Sequence, residues 1–225
     1  MSNPSITAAD RSCNRRRPGT RIRRSAVAGA LVAALAGAAC GGQQAPPVRQ
    51  GAALHEPLHP DFVLTDTRGR PYDFAAETKG YATMLFFGYT NCPDVCPVHL
   101  ANLAGALKRL PYQITSRVKV VFVTTDPERD TPERMRAWLD HFNPDFIGLT
   151  GTPEEIAAAG RQVKIAPAVK EPSPDGSYLV GHSARVIAFT PDGAGRFIYP
   201  FGTRQADWAA EIPALVGWRR EPDPQ

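Results

Sequence analysis

The sequence predicts an α/β fold in which helices flank a mixed central sheet. Two continuous apolar runs, at 81–90 and 117–126, are typical of strands that are buried on both faces. Segments with helical spacing or helix-start signals alternate with these runs, and a hairpin and a helix complete the chain. This order of elements indicates an α/β domain.

The first half of the folded region is predicted to contain a hairpin, two buried strands and one helix. The segment DFVLTDTRGRPYDF alternates in polarity around a turn at Arg68-Gly69, which predicts the hairpin. The first buried strand follows it. Apolar residues between 96 and 110 then recur near helical spacing, so a helix is expected before the second buried strand.

Two further helices carry start signals. Thr131 followed by Pro132 predicts a helix that runs to about His141. The segment FIGLTG predicts a short strand after it. The next helix begins with Thr152, and Glu155 three residues later predicts a capping box.

The end of the chain is predicted to hold two strands and a helix. The segment SYLVGHSARVIAFTPDG predicts one strand and GRFIYPFG the other, with a turn at Asp192-Gly193 between them. The segment RQADWAAEIPALVGW predicts the terminal helix, which Pro213 should kink or end early.

Residues 1–39 have the three parts of a secretory signal: a basic region, an apolar run from Ala26 to Ala39, and small residues before Cys40. The apolar run has 14 residues, about 21 Å as a helix, whereas a bilayer core is about 30 Å thick. The segment therefore predicts a cleaved signal and export. Cys40 with its small neighbours resembles a lipid-attachment site, and ordinary cleavage after Ala39 fits as well.

The domain organisation follows from composition and charge. Residues 1–39 are predicted to be the signal leader, 40–57 a flexible linker, 58–219 the folded domain and 220–225 a tail. The formal net charge of +4 comes from the leader, which holds seven arginines and one acid, so the remainder is mildly acidic at −2. Nothing in this balance favours binding to nucleic acid.

Cys92 and Cys96 are the two cysteines of the predicted domain, and they follow the first buried strand where the next helix begins. Thioredoxin-like folds carry their active cysteines at this place. A domain of this size needs no disulfide to fold, so the pair is expected to do chemistry. A helix start lowers the pKa of a nearby thiol. Both a redox pair and a metal-binding pair fit these features.

The five histidines differ as candidates for a third ligand. His182 lies directly before a buried strand, which makes it the strongest. His99 is expected to be a half-exposed helix residue, His55 and His59 to be solvated in or beside the linker, and His141 to contact the carbonyls at a helix end.

Two acidic residues near the cysteines are expected to serve local structure. Asp126 ends the second buried strand and is predicted to cap a loop, and Asp130 is predicted to cap the next helix.

Three segments, FFGYTNCPDVCPVHL, TTDPERDTPE and GHSARVIAFTPDG, resemble the signatures of the Sco/SenC (synthesis of cytochrome c oxidase) family of copper-binding proteins. The resemblance covers about residues 58–218. It implies a thioredoxin-like fold with an extra hairpin before the histidine loop, and copper held by Cys92, Cys96 and His182. Gly181 departs from the pattern, since the family often has Asp there.

The resemblance implies an extracytoplasmic copper chaperone that matures the dinuclear copper centre of cytochrome c oxidase subunit II, on the periplasmic face of the cytoplasmic membrane. Its cargo would be Cu(I) or Cu(II), and its partners other copper chaperones or thiol reductants, with a lipid anchor at Cys40 holding it to the membrane. The alternative is a thiol–disulfide oxidoreductase that keeps the cysteines of that subunit reduced. Two thiolates and one imidazole suit copper, and zinc could use the same atoms with a water.

Overall fold

The structure is a computed structural model that describes residues 50–174 and 176–219. The signal predicted at 1–39, the lipidation candidate Cys40 and the tail at 220–225 lie outside these residues. Within the described ranges, none of the helices combines the length and the apolar character needed to cross a membrane.

Ten strands and six helices make up the described chain. The strands are β1 Ala52–Leu58, β2 Val63–Asp66, β3 Pro71–Asp73, β4 Ala82–Gly88, β5 Val118–Thr124, β6 Ile147–Thr150, β7 Val169–Pro172, β8 Tyr178–Gly181, β9 Val186–Phe189 and β10 Gly195–Tyr199. The helices are α1 Phe74–Thr78, α2 Val95–Leu107, α3 Tyr112–Thr115, α4 Pro132–Asp140, α5 Pro153–Gln162 and α6 Gln205–Val216.

Eight of these strands form one mixed sheet in the order β1-β10-β9-β4-β5-β6-β2-β3. Strands β4, β5 and β6 are parallel, and β9 runs antiparallel to β4. This arrangement confirms the predicted mixed central sheet of an α/β fold. Strands β7 and β8 form a separate two-stranded sheet, the hairpin that the family resemblance implies.

The central strands are apolar throughout because both of their faces are covered. Alternate side chains of a strand point to opposite faces. Met84 and Phe86 of β4 pack in the cluster that includes the buried residues of α2, α4 and α6. Leu85 and Phe87 pack in a second cluster with residues of α1 and α5. Strand β4 and helix α2, which lie on either side of Cys92, therefore belong to the most buried part of the described chain.

The N-terminal caps of α4 and α5 agree with the helix-start signals in the sequence. The side chain of Thr131 accepts a hydrogen bond from the Arg134 backbone N–H at the start of α4. Thr152 and Glu155 form the predicted capping box of α5. The expectation of an early helix end at Pro213 is wrong, because α6 continues to Val216. Buried side chains on both sides of the proline hold this last turn against the core.

Strand β1 corrects the predicted start of the folded region. It pairs antiparallel with β10, so residues 52–57 belong to the sheet although the sequence places them in a flexible linker. Six of its seven side chains are exposed or only half-buried. An edge strand with such side chains is held mainly by backbone hydrogen bonds. Its sequence therefore lacks the alternation of apolar and polar residues that would predict a strand.

The segment predicted as one strand at 177–193 is two strands in different sheets. Strand β8 ends at Gly181 in the hairpin, and β9 begins at Val186 in the central sheet. We call residues 181–185, which join them, the histidine loop. His182 therefore lies where the chain passes from the hairpin into the main sheet.

Candidate metal centre

The cysteines stand at the carboxyl end of β4, where a loop leads into α2. We call residues 89–94, which include Cys92, the cysteine loop. Cys92 lies within it and is partly exposed, whereas Cys96 lies in the first turn of α2 and is fully buried. The backbone N–H of Cys92 donates to the Tyr89 carbonyl at 3.2 Å, which closes a tight turn.

Gly88 allows the sheet and the helix to approach each other at this point. A Cβ atom there would lie 2.7 Å from the Cys96 sulfur and 3.0 Å from the Phe122 ring. Contacts that short require the neighbours to move, and both are buried. The absence of a side chain at 88 is therefore what gives the Cys96 sulfur its place above the end of β4.

The buried side chain of Asp130 holds the cysteine loop in place through hydrogen bonds. Its side chain is fully buried and accepts three hydrogen bonds: from the Thr90 backbone N–H at 2.9 Å, the Thr90 hydroxyl at 2.6 Å and the Thr124 hydroxyl at 2.7 Å. The prediction that Asp130 caps α4 is wrong, since Thr131 is the cap. Asp130 instead joins the cysteine loop to the end of β5.

His182 reaches the sulfurs from the histidine loop. Its Nδ1 lies 3.0 Å from the Ser183 carbonyl oxygen, which can only accept a hydrogen bond, so Nδ1 carries the proton. This leaves Nε2 bare, 3.4 Å from the Cys96 sulfur. The rings of Phe86 and Tyr89 meet the imidazole edge-on, at centroid distances of 5.9 and 5.5 Å. The imidazole is thus oriented with its free nitrogen toward the cysteines.

The hairpin that carries this loop is clamped to the segment after β5. The Tyr178 hydroxyl donates to Asp126 Oδ1 at 2.9 Å, and Arg129 Nη1 donates to the Tyr178 carbonyl at 3.0 Å. The Arg129 guanidinium also lies 3.6 Å from the centre of the Tyr178 ring and forms an ion pair with Asp126. Asp126, predicted to cap a loop, thus binds two side chains that hold the hairpin.

The structure brings the three predicted ligands together. One ligand atom from each of Cys92, Cys96 and His182 lies within 4.8 Å of the other two. Among the residues that the structure describes, no other group of three or more His, Cys, Asp or Glu side chains is arranged so that it could hold a metal ion. Both cysteines are free thiols, and small shifts of the side chains would place all three donors around one ion.

The two thiols differ in acidity. A hydrogen bond from the Cys96 thiol, with a smaller contribution from the Cys96 backbone N–H, holds the pKa of Cys92 far below the usual thiol range. The Cys96 backbone N–H faces the Cys92 sulfur at 3.5 Å. Burial, with the negative charge on Cys92, raises the pKa of Cys96. The reduced pair therefore holds one thiolate, at the more exposed sulfur, and one thiol.

The remaining histidines have other roles. His99 is buried, with 1% of its surface exposed, which makes the half-exposed interpretation wrong. Its Nε2 lies 3.0 Å from the Ala184 carbonyl oxygen. His141 Nδ1 faces the Ala137 carbonyl at 2.7 Å, which confirms its predicted contact with the helix end. His55 and His59 are exposed, lie in or beside β1 and do not belong to the cluster.

Comparison with known proteins gives consistent results along most of the chain. Residues 50–217 match the model of the SCO1/SenC family. The bovine mitochondrial protein SCO2 homolog is 37% identical over 134 residues, which are 59% of this chain and 50% of that protein. The chain thus spans about half the length of the curated mitochondrial relatives that it matches.

Two solved structures show the same architecture. The copper-bound ScoI of Bradyrhizobium japonicum is 34% identical with a TM-score of 0.60, over 74% of this chain and 99% of that one. The apo Sco1 of Thermus thermophilus is 32% identical with a TM-score of 0.64, over 78% and 98% of the two chains. The predicted thioredoxin-like fold is confirmed by these likenesses.

Proposed function

Because the chain belongs to the SCO1/SenC family, we propose that it is a copper chaperone whose ligands are Cys92, Cys96 and His182. The observation that carries the proposal is the convergence of two sulfurs and one imidazole nitrogen within 4.8 Å. Copper is here the cargo of the protein. The structure of ScoI from Bradyrhizobium japonicum, which has copper bound, supports the choice of metal.

The donor set itself favours copper. Thiolate sulfur is a soft ligand that suits copper, and imidazole suits it as well. Zinc prefers four ligands in protein sites, and the cluster offers three side chains. A site with three donors and a partly exposed sulfur leaves an open side through which a recipient protein can approach the metal.

The residues of the chain have distinct tasks in copper uptake. The Cys92 thiolate is the accessible donor and meets the ion first. Cys96 must lose its proton to bind, so uptake releases one proton for this thiol. His182 presents a bare Nε2 without any change of tautomer. A disulfide between the cysteines would remove two of the three ligands, so reduction of the pair is a condition for copper binding.

The cellular role extends this proposal. We propose delivery of copper to, or maturation of, the dinuclear centre of cytochrome c oxidase subunit II, with other copper chaperones or thiol reductants as further partners. The protein would act after export, on the periplasmic face of the cytoplasmic membrane, with Cys40 as the lipid-attachment site. The support for export and anchoring is the sequence of residues 1–40.

A copper titration of the reduced, purified protein tests the three-ligand scheme. Wild type should bind one copper ion, and His182→Ala should bind it at least about tenfold more weakly because one of three donors is lost. His59→Ala, which removes an exposed histidine outside the cluster, is the matched control and should bind like wild type. Equal affinity of wild type and His182→Ala would rule the scheme out.

A thiol–disulfide oxidoreductase is the second candidate, and the unequal thiols favour it. The Cys92 thiolate would attack a target disulfide and form a mixed disulfide with one of its sulfurs. Cys96 would then lose its proton and attack Cys92, releasing the target as a dithiol and leaving a Cys92–Cys96 disulfide. A dithiol reductant must afterwards return two electrons to the pair.

The same histidine variant separates the two functions. His182→Ala retains both thiols, so a reductase should keep its rate of disulfide reduction while copper binding is weakened. Oxidase assembly in cells that carry this variant then identifies the function that matters. Normal assembly would favour the reductase, and failed assembly would favour the copper chaperone.

A further inference from the structure

Helix α2 and the histidine loop are joined by two contacts that lie side by side. Cys96 and His99 are one helical turn apart, and they face two positions of the histidine loop. The Cys96 sulfur lies 3.4 Å from His182 Nε2, and His99 Nε2 lies 3.0 Å from the Ala184 carbonyl oxygen. In the described part of the chain, these are the polar side-chain contacts that link residues 182–185 to α2.

The second contact is well formed. A carbonyl oxygen can only accept, so His99 Nε2 carries the proton and donates to Ala184. Only 1% of the His99 surface is exposed, and little water reaches this hydrogen bond. Phe86 packs on one side of the ring with a centroid distance of 5.0 Å, and Phe201 meets it edge-on at 5.5 Å. The imidazole therefore has a fixed position and a fixed tautomer.

Phe86 connects this histidine with the ligand. Its ring lies 5.0 Å from the His99 ring and 5.9 Å from the His182 ring, measured between centroids. A displacement of His99 would therefore disturb both the loop backbone at Ala184 and the aromatic surface against which His182 packs. Both effects act on the position of His182 Nε2.

We propose that His99 is a positioning residue, which holds the histidine loop against α2 so that His182 stays within reach of the two sulfurs. The inference rests on the proposed copper function for its consequence. Copper binding would replace the contact between Cys96 and His182 with bonds to the metal. The hydrogen bond from His99 to Ala184 uses no ligand atom, so we expect it in the copper-free and the copper-bound protein alike. It therefore keeps the backbone of the histidine loop in place when copper leaves.

Two substitutions of His99 separate the hydrogen bond from the volume of the side chain. His99→Phe fills the space with a ring that has no donor, and His99→Gln offers an amide N–H close to the position of Nε2. His99→Phe should bind copper about tenfold to a hundredfold more weakly, as expected when a residue that orients a metal ligand is lost. It should also reduce the nitrogen signal of His182 in the electron paramagnetic resonance spectrum of the Cu(II) form. His99→Gln should restore both properties.

A measurement without metal keeps this inference distinct from the copper function. In the reduced, metal-free protein, amide hydrogen exchange at 182–185 should be faster in His99→Phe than in wild type and in His99→Gln. If wild type binds no copper but exchange differs in this way, the proposed function fails and the positioning role stands. If His99→Phe matches wild type in exchange and in copper affinity, the positioning role is overturned.

A shorter amide is the alternative if His99→Phe does not fold. His99→Asn keeps a donor but is one methylene too short to reach Ala184, and it differs from His99→Gln in that respect alone. His99→Asn should resemble the donor-free variant in exchange and in copper affinity. Behaviour identical to wild type would equally overturn the proposal.

Discussion

The cysteine loop and the histidine loop bring their candidate ligands to one place from very different surroundings. The cysteine loop lies between β4 and α2, both in the buried centre, and the buried Asp130 accepts three hydrogen bonds at its base. The histidine loop lies between two sheets and follows a hairpin in which all four residues of β7 are exposed. Exposed, weakly packed elements open at lower free-energy cost than core elements.

This difference fits the proposed uptake and release of copper. The two sulfurs form a fixed base, because their positions are tied to the core. The imidazole can turn away from the sulfurs about its own side-chain bonds, while the hydrogen bond from His99 holds the loop backbone. A recipient protein could therefore displace the histidine first and find the metal still held by two sulfurs.

Asp130→Ala should have the largest effect, because it acts on the fixed region. It leaves the Thr90 backbone N–H and two hydroxyl groups without their acceptor in a buried place. The free energy of unfolding should fall by about 3 kcal/mol, since each unsatisfied buried group costs about 1–3 kcal/mol and part of the structure will relax. Urea unfolding of the reduced, metal-free protein measures this. A loss below about 0.5 kcal/mol would contradict the idea that the cysteine loop is anchored to the core.

Two glycine substitutions compare the loops directly. Gly88→Ala places a methyl group 2.7 Å from the Cys96 sulfur, and overpacking of a core costs about 1–3 kcal/mol. It should also weaken copper binding by displacing that sulfur. In Gly181→Ala the nearest atom is Glu171 Oε1 at 2.8 Å, at the end of an exposed side chain that can turn away.

We therefore expect Gly181→Ala to change the stability by less than about 0.5 kcal/mol. Urea unfolding and copper titration of the two variants, side by side, check both expectations. Similar losses in both variants would mean that the histidine loop is as tightly packed as the cysteine loop, and the contrast between them would be wrong.

Tyr178→Phe should have a smaller and more local effect. It removes the hydroxyl that donates to Asp126, while the Arg129 guanidinium can still stack on the ring. The hairpin should lose about 1 kcal/mol of local stability, the usual net value of one hydrogen bond. Amide hydrogen exchange in β8 should accelerate while the global unfolding transition stays unchanged. A fall in global stability as large as that of Asp130→Ala would show that the hairpin is part of the core.

The lowered pKa of Cys92 allows the smallest effect of the two loops to be compared. The Cys96 thiol is the main cause of its lowered pKa, and the Cys96 backbone N–H contributes less. Cys92 of the reduced wild type should therefore react with iodoacetamide well below pH 8, where an ordinary thiol with a pKa of about 8.5 is mostly protonated. Lowering the pH should not suppress this reaction until the lowered pKa is reached.

Two substitutions test the source of this lowered pKa. Cys96→Ala should move the pH profile of Cys92 alkylation strongly toward that of an ordinary thiol, and His182→Ala should leave it nearly unchanged because the bare Nε2 has no proton to donate. The rate of alkylation as a function of pH measures both shifts. A larger shift in His182→Ala would mean that the histidine loop, and not the cysteine loop, maintains the thiolate.

The parts of this structure that local signals specify could be predicted from the sequence. The continuous apolar run of β4 and the helix start after it place Cys92 and Cys96 correctly. The combination of these cysteines with His182 follows from the family resemblance, since nothing local links residues 86 positions apart. The distance in sequence is spanned by the sheet, because β9 pairs with β4.

The features that were missed depend on distant partners or on ambiguous signals. The burial of His99 depends on Ala184, whose position follows from the fold and not from the neighbours of His99. Its spacing of three residues from Cys96 did place it on the same face of α2, which is the available signal. Asp130 precedes Thr131 and Pro132, so a helix cap and a buried acceptor have the same local sequence.

Strand β1 also has a practical consequence for work with this protein. It covers β10, and β10 has β9 on its other side. A version of the chain cut at residue 58, where the sequence pattern suggested that folding begins, would leave the backbone N–H and C=O groups of β10 uncovered. An open strand edge of this kind pairs readily with other copies and leads to aggregation. The short, exposed strand at Ala52–Leu58 thus protects the edge of β10, although it contributes no ligand to the candidate metal centre.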